Sequence, residues 1–173
     1  MPARAEIHRA TLSLGGNVGD VVAAFCGALR ALENNDDVKI IKHSSFWRTP
    51  PWGKTDQPDF LNMAALVETA LTPHALLAAC LDVEKQAGRD RRERWGPRTL
   101  DIDIITYDDL VLDDDVLQLP HPRARDRAFV LVPLAEIAGD VTIGGRSVAD
   151  LAADADRSGM TRDDAATQAL RGM

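Results

Sequence analysis

The chain has 173 residues, 45% hydrophobic and 27% charged, with a formal net charge of −7. That balance fits one compact domain with a real core and argues against general affinity for nucleic acid. No apolar run approaches membrane-spanning length and the opening MPARAEIHRA lacks a signal-peptide core, so a cytoplasmic protein without membrane contact is expected. Within the acidic average, Arg89, Arg91, Arg92, Arg94 and Arg98 crowd one segment, and Arg123, Arg125 and Arg127 crowd another. These clusters are either solvated loops or a confined polyanion site. Cys26 and Cys80 lie far apart in apolar helical patterns without CxxC spacing, which reads as buried, reduced thiols.

Residues 10–14 alternate, with Ala10, Leu12 and Leu14 on one side and Thr11 and Ser13 on the other, and predict a strand. GGNVGD follows as a turn needing small residues; it is neither GxxxxGK[ST] nor GxGxxG. Asp20 can cap a helix that carries Val22, Phe25, Leu29 and Leu32 on one face and ends over residues 34–37. Residues 38–49, rich in β-branched and aromatic side chains, predict a second strand. Residues 49–58 (TPPWGKTDQP) form a loop dense in Pro and Gly.

Residues 60–71 are ambiguous by periodicity. A strand is preferred because a helix so clearly starts next, with Thr72 as N-cap and Pro73 in its first position. In that helix Leu76, Cys80, Val83 and Ala87 face one way, and Gly88 can close it. An arginine-rich loop over residues 89–97 leads to the cleanest strand, residues 99–107. Asp108, Asp109 and the aspartates at 113–115 mark turns around a small hairpin. A loop over 120–127, a short helix over 132–138 and a Gly144, Gly145 turn before another short helix near Ser147 complete the pattern. From about residue 156 the chain is rich in Ala and Asp and poor in large apolar residues, so a frayed helix or disorder is expected. The order predicts an α+β, ferredoxin-like domain over residues 1–155: a mostly antiparallel sheet with packed helices, a small hairpin and C-terminal extras, followed by the tail 156–173.

The chemistry concentrates in RWGPRTLDID, residues 94–103. On a strand, Leu100, Ile102 and Ile104 point one way, and Asp101 and Asp103 project together from the other face, their α-carbons roughly 6–7 Å apart. Two carboxylates so close repel each other, and a hard cation removes the conflict; Mg²⁺ takes one or two carboxylates plus substrate phosphates. Two solvated aspartates on an exposed face are the plainer reading of D-x-D alone. The preceding arginines favour the metal, since guanidinium forks match phosphate oxygens. Trp95 offers a flat face to a ring or is half-buried in a turn set by Gly96 and Pro97. In PHPRARDRAF, His121 is either a phosphate donor or a polar surface residue, and Phe129 either core or a stacking ring. Asn62 can meet the edge of a heterocycle or stabilise a turn.

The segments LSLGGNVGD, SSFWRTPPWG, DQPDFLN, VEKQAGR, RWGPRTLDIDI, LPHPRARDRAFVL and PLAEIA together resemble, in order, those of 6-hydroxymethyl-7,8-dihydropterin pyrophosphokinases of folate biosynthesis. The resemblance spans about residues 11–138, and RWGPRTLDIDI followed by LPHPR is its most specific part. It implies a ferredoxin-like fold and transfer of pyrophosphate from ATP to the pterin, giving AMP. By resemblance, Asp101 and Asp103 match the ligands of two Mg²⁺ ions, and Arg89 and Arg98 match catalytic arginines. Arg91, Arg94, Trp95, Arg98, Ile104, His121 and Arg127 match ATP-binding positions. Thr49, Pro50, Trp52, Phe60, Asn62, Trp95 and Phe129 match pterin-lining positions, with Phe60 and Phe129 as the sandwiching rings. A monomer is expected.

Trp52 stands where other members have Leu, Phe60 where they have Tyr, and the 89–95 loop looks one residue shorter than in some, which leaves Arg91 and Arg92 as alternatives. The tail matches no segment of the family. The loops around Gly15, Trp52 and Trp95 are candidate lids. Two other functions fit the predicted fold: a two-metal nucleotidyl transferase, which also pairs carboxylates, and an RNA-binding module, which would need exposed aromatics on central strands.

Overall fold

The computed structural model describes residues 3–51, 55–88 and 99–172. Its elements are β1 (His8–Gly16), α1 (Val21–Glu33), β2 (Val38–His43), β3 (Phe46–Thr49), β4 (Phe60–Thr69), α2 (Pro73–Gln86), β5 (Asp101–Tyr107), β6 (Leu112–Asp113) and β7 (Gln118–Leu119). There follow a 3-10 turn (Ala124–Asp126), α3 (Ala128–Ala138), β8 (Thr142–Ile143), β9 (Arg146–Ser147), α4 (Val148–Asp154), β10 (Thr161–Asp163) and α5 (Asp164–Arg171). The main sheet runs β10-β3-β4-β1-β5, with β2 also on β4, and every pairing is antiparallel. This is the ferredoxin-like α+β arrangement expected from the sequence.

Local chemistry explains the elements. Asp20 caps α1 by accepting from the Ala23 amide, and Thr72 caps α2 by accepting from Ala75, with Pro73 behind it where a missing N–H costs nothing. Alternation divides the strands between two cores. Leu12, Leu14, Met63, Val67, Ile102 and Ile104 face α1, α2 and α5; Ala64 and Ile105 face α3 and α4. Cys26 and Cys80 are free and buried, as expected. Among the described residues no helix is long and apolar enough to cross a membrane.

Three expectations are corrected. Residues 38–49 form two strands, because Ser44 steps out of the ladder. Its hydroxyl replaces a backbone carbonyl, accepting from the Ala64 amide at 2.9 Å and donating to the Ser45 carbonyl at 2.7 Å. The helix expected at 132–138 begins one turn earlier at Ala128, following the 3-10 turn, and carries Pro133 inside it. The tail is not frayed: β10 pairs with β3, and α5 buries Ala166, Thr167 and Leu170. Those few residues share one helical face, so a segment poor in apolar side chains still docks.

Candidate active site

Strand register assembles the site on the sheet face that α3 covers. Gly15 on β1 stands between Asn62 on β4 and Asp101 on β5, and Ser13 stands between Ala64 and Asp103. Trp47 of β3 pairs with Asn62, and Thr49 with Phe60. One row therefore reads Trp47, Asn62, Gly15, Asp101. Two strand spacings, about 9–10 Å, separate Asn62 from Asp101. Gly15 raises no side chain between them. A Cβ there would meet the Asn62 Oδ1 at 3.0 Å, so the glycine is required by Asn62 itself.

At one end of this row Asn62 and Thr49 are both buried, and the Asn62 amide donates to the Thr49 hydroxyl at 2.7 Å. Phe60 lies on the same face at the start of β4, and half-buried Phe129 stands in the first turn of α3 with the Arg127 guanidinium 5.5 Å from its ring centroid. Pro50, exposed, follows β3 directly.

At the other end Asp101 and Asp103 are half-buried and share their face, while Ile102 and Ile104 turn into the core, as alternation requires. The Ile102 amide, between the two aspartates, donates to the Glu84 carboxylate of α2 at 2.7 Å, which pins the start of the strand. His121 is tied to the same strand through its backbone amide, which donates to the Ile105 carbonyl at 2.8 Å. The Arg123 amide donates to His121 Nδ1 at 3.2 Å, so the neutral ring carries its proton on Nε2.

Burial pushes His121 below the usual histidine range; the Asp103 carboxylate pulls the other way, and Arg127 and Arg123 deepen the depression. Arg127 is lowered by burial too, against the attraction of Asp103. His121, Arg127 and the two aspartates thus share one electrostatic neighbourhood. Burial, with Glu84 and Asp103 nearby, pushes the Cys80 thiol up to about 12, so it stays protonated and inert.

A cavity of about 680 Å³ opens beside this end, lined by Ile102, Asp103, Ile104, His121 and the β6–β7 hairpin. Ile104 accordingly serves both the core and the cavity wall. Asp114 holds the hairpin turn by accepting from the Val116 and Leu117 amides and from His74. Among the described residues no three His, Cys, Asp or Glu side chains converge as a closed metal cage. Asp103 on the cavity wall and Asp101 on the same strand face suit a hard cation that shares its coordination with a substrate's oxygens.

The structure brings together Thr49, Pro50, Phe60, Asn62, Asp101, Asp103, His121, Arg127 and Phe129 around one sheet face, while Ile104 turns to the other face and reaches only the wall of the cavity. Trp52, Arg89, Arg91, Arg94, Trp95 and Arg98 lie outside the described residues. Sequence reasoning missed Gly15 as the spacer in the row, and it missed Glu84. It also missed Asn17, whose amide donates to the Gln57 side chain and the Pro58 carbonyl and ties the first turn to the loop before β4. A buried carboxylate near the end of an otherwise apolar helical face was the available signal for Glu84.

The sequence model of the 7,8-dihydro-6-hydroxymethylpterin-pyrophosphokinase (HPPK) family matches residues 11–139. A 2-amino-4-hydroxy-6-hydroxymethyldihydropteridine pyrophosphokinase of Methylorubrum extorquens is 49% identical over 154 residues, covering 89% of this chain and 98% of its own. The enzyme of that name from Haemophilus influenzae is 39% identical over 134 residues, covering 78% and 84%. Among solved structures, a triple mutant of Plasmodium falciparum HPPK-DHPS with pteroate superposes with a TM-score of 0.70 at 15% identity, over 91% of this chain. This chain spans 47% of that longer protein, and at that identity the likeness speaks for the fold alone. With three-quarters of its length matched by one family and a relative 49% identical along 98% of that relative's length, the chain belongs to the 7,8-dihydro-6-hydroxymethylpterin-pyrophosphokinase family.

Proposed function

We propose that this chain transfers pyrophosphate from ATP to the hydroxyl of 6-hydroxymethyl-7,8-dihydropterin, giving AMP and the pterin diphosphate, in folate biosynthesis. The observation that carries the reading is the row Asn62, Gly15, Asp101. A buried amide suited to a heterocycle edge and a carboxylate pair suited to metal and phosphate lie on one face, with no side chain between them.

In this reading the pterin ring lies between Phe60 and Phe129, with its edge against Asn62, Thr49 and Pro50. The triphosphate occupies the cavity beside Asp103, where His121 donates from Nε2 and Arg127 supplies a fixed positive charge. The pterin oxygen attacks the β-phosphorus in line; the bond from that phosphorus to the α-phosphate oxygen breaks, AMP leaves, and the hydroxyl proton is lost to solvent. Magnesium held by Asp101 and Asp103 would neutralise the phosphate oxygens and favour this geometry. Arg89 and Arg98 would steady the transferred group, Arg91 and Arg94 the nucleotide, and Trp52 and Trp95 would cover the pterin. Catalysis is then chiefly positioning and charge stabilisation. The protein works as a cytoplasmic monomer. An RNA-binding role finds less support, because the sheet face that would bind bases carries Asp101 and Asp103 and the chain's net charge is −7.

The test is AMP release from ATP, Mg²⁺ and the pterin. The wild type should form AMP only when the pterin is present. Asp101→Ala and Asp103→Ala should each lose at least about a hundredfold in kcat, the scale of one removed charge-stabilising group, with unchanged circular dichroism. A wild type that makes no AMP refutes the reading; a near-normal aspartate variant refutes the metal assignment.

A further inference from the structure

Residues beyond the family match, which ends at 139, run back along the edge of the sheet. β10 pairs with β3 in the register Thr161 to Arg48, Arg162 to Trp47 and Asp163 to Phe46. The Arg48 guanidinium donates to Asp163 Oδ2 at 2.7 Å, while Asp163 Oδ1 accepts from the Ala166 amide at 2.9 Å and caps α5. The Phe46 amide donates to the Thr167 hydroxyl at 2.9 Å. In the turn before β10, Gly159 packs directly on Pro50: an added Cβ would lie 2.7 Å from its Cγ and 3.3 Å from its Cδ.

The opposite side of β3 is held as firmly. Glu136 of α3 accepts from Trp47 Nε1 at 2.6 Å and from the Ser45 amide at 2.9 Å. Thr49 and Pro50 leave the end of a strand clamped from both sides, and Thr49 is the partner of Asn62. Among the described residues, β10 lies at the edge beside β3, and Asp101, Asp103 and His121 stand beyond β4 and β1 on β5 and after it.

We infer that the C-terminal segment, residues 156–172, is a positioning element for the pterin end of the site, holding Thr49 and Pro50 against Asn62 while leaving the nucleotide end untouched. The inference rests on the proposed function for the identity of the bound ring. It makes Arg48, Gly159 and Asp163 positioning residues that touch no substrate. Their effect should therefore fall on one substrate and not on the other.

The experiment measures KM for the pterin and for ATP separately by AMP release. Arg48→Ala, Asp163→Asn and Gly159→Ala should each raise the pterin KM about three- to tenfold, as expected for a sub-ångström displacement when a full 1 Å costs on the order of a hundredfold. The ATP KM should stay within about twofold, Arg48→Lys should recover most of the loss, and Arg162→Ala, on the same strand as Asp163 but exposed and paired with exposed Asp164, should match the wild type. An active wild type whose variants leave both KM values unchanged, or move both together with the unfolding midpoint, overturns this inference alone. A wild type that releases no AMP overturns it together with the proposed function.

Discussion

His121 is held neutral by burial in a place built for negative charge, and this fixes the sign of its pH response. Its pKa in the folded protein lies below the ordinary value, so between the two the unfolded chain binds more protons and folding stability falls as pH falls through that window. In the proposed function, a bound triphosphate would reverse the balance by favouring the imidazolium. Binding then takes up a proton, and ATP affinity should rise as pH is lowered from about 7.5 to 6, by up to about tenfold per unit. Titration calorimetry of wild type and His121→Asn checks this: the variant should lose the His121 part of the slope, and equal slopes would remove His121 from the nucleotide site. At this scale the sequence was legible where a side chain's job follows from its own chemistry and period. Asp101 and Asp103 share a face because strands alternate. Gly15 was not legible, because its job is the absence of a side chain beside an Asn distant in sequence.

Elements show a similar division. The caps at Asp20 and Thr72 and the closing Gly88, at φ 78°, could be read from local chemistry. The break at Ser44 could not, since residues on both sides of it favour strand and only the partner strand reveals the missing rung. The helix expected over residues 132–138 begins a turn earlier, at Ala128, because the 3-10 turn before it leads straight into α3. The tie between α2 and β5 was equally hidden. Glu84 is 3% exposed and accepts from Ile102 between the two aspartates. Glu84→Ala should cost about 1–3 kcal/mol, the penalty of leaving a buried donor unmet, and should lower kcat by loosening the aspartate pair. Glu84→Gln keeps an acceptor and should lose less stability. Urea unfolding alongside AMP release measures both effects, and a Glu84→Ala protein with wild-type stability would show that the bond does not hold the strand.

For the whole molecule, the sheet is a shared wall between two cores. Leu12 lies fully buried on the α1 and α2 side and Leu134 on the α3 and α4 side. Leu12→Ala and Leu134→Ala should each cost about 2–5 kcal/mol and should displace the same single unfolding transition. Two separate transitions by fluorescence and circular dichroism would mean that the layers melt independently. The overall class was readable because the element order leaves few topologies. The docking of the tail was not, because its binding surface is made by β3 and α1.

The β-bulge in β5 carries a consequence for how this chain can change. Thr11 pairs with Thr106 and Leu12 with Ile104, leaving Ile105 as the extra residue. That residue lets Asp101, Asp103 and Thr106 share one face while Tyr107 returns to the first core and donates to the Leu71 carbonyl at 2.7 Å. Deleting it would restore an even ladder with Asp101, Asp103 and Thr106 still on one face and Ile102, Ile104 and Tyr107 on the other, with the loss of Ile105 from the second core. A strand that kept all seven residues without the bulge would instead put Tyr107 on the same face as Asp101 and Asp103, so that either Tyr107 would leave the first core or the carboxylates would enter it. Along β5, a residue can therefore be lost at the bulge without turning the carboxylates, whereas a loss between Asp101 and Ile104 would turn at least one of them toward the core.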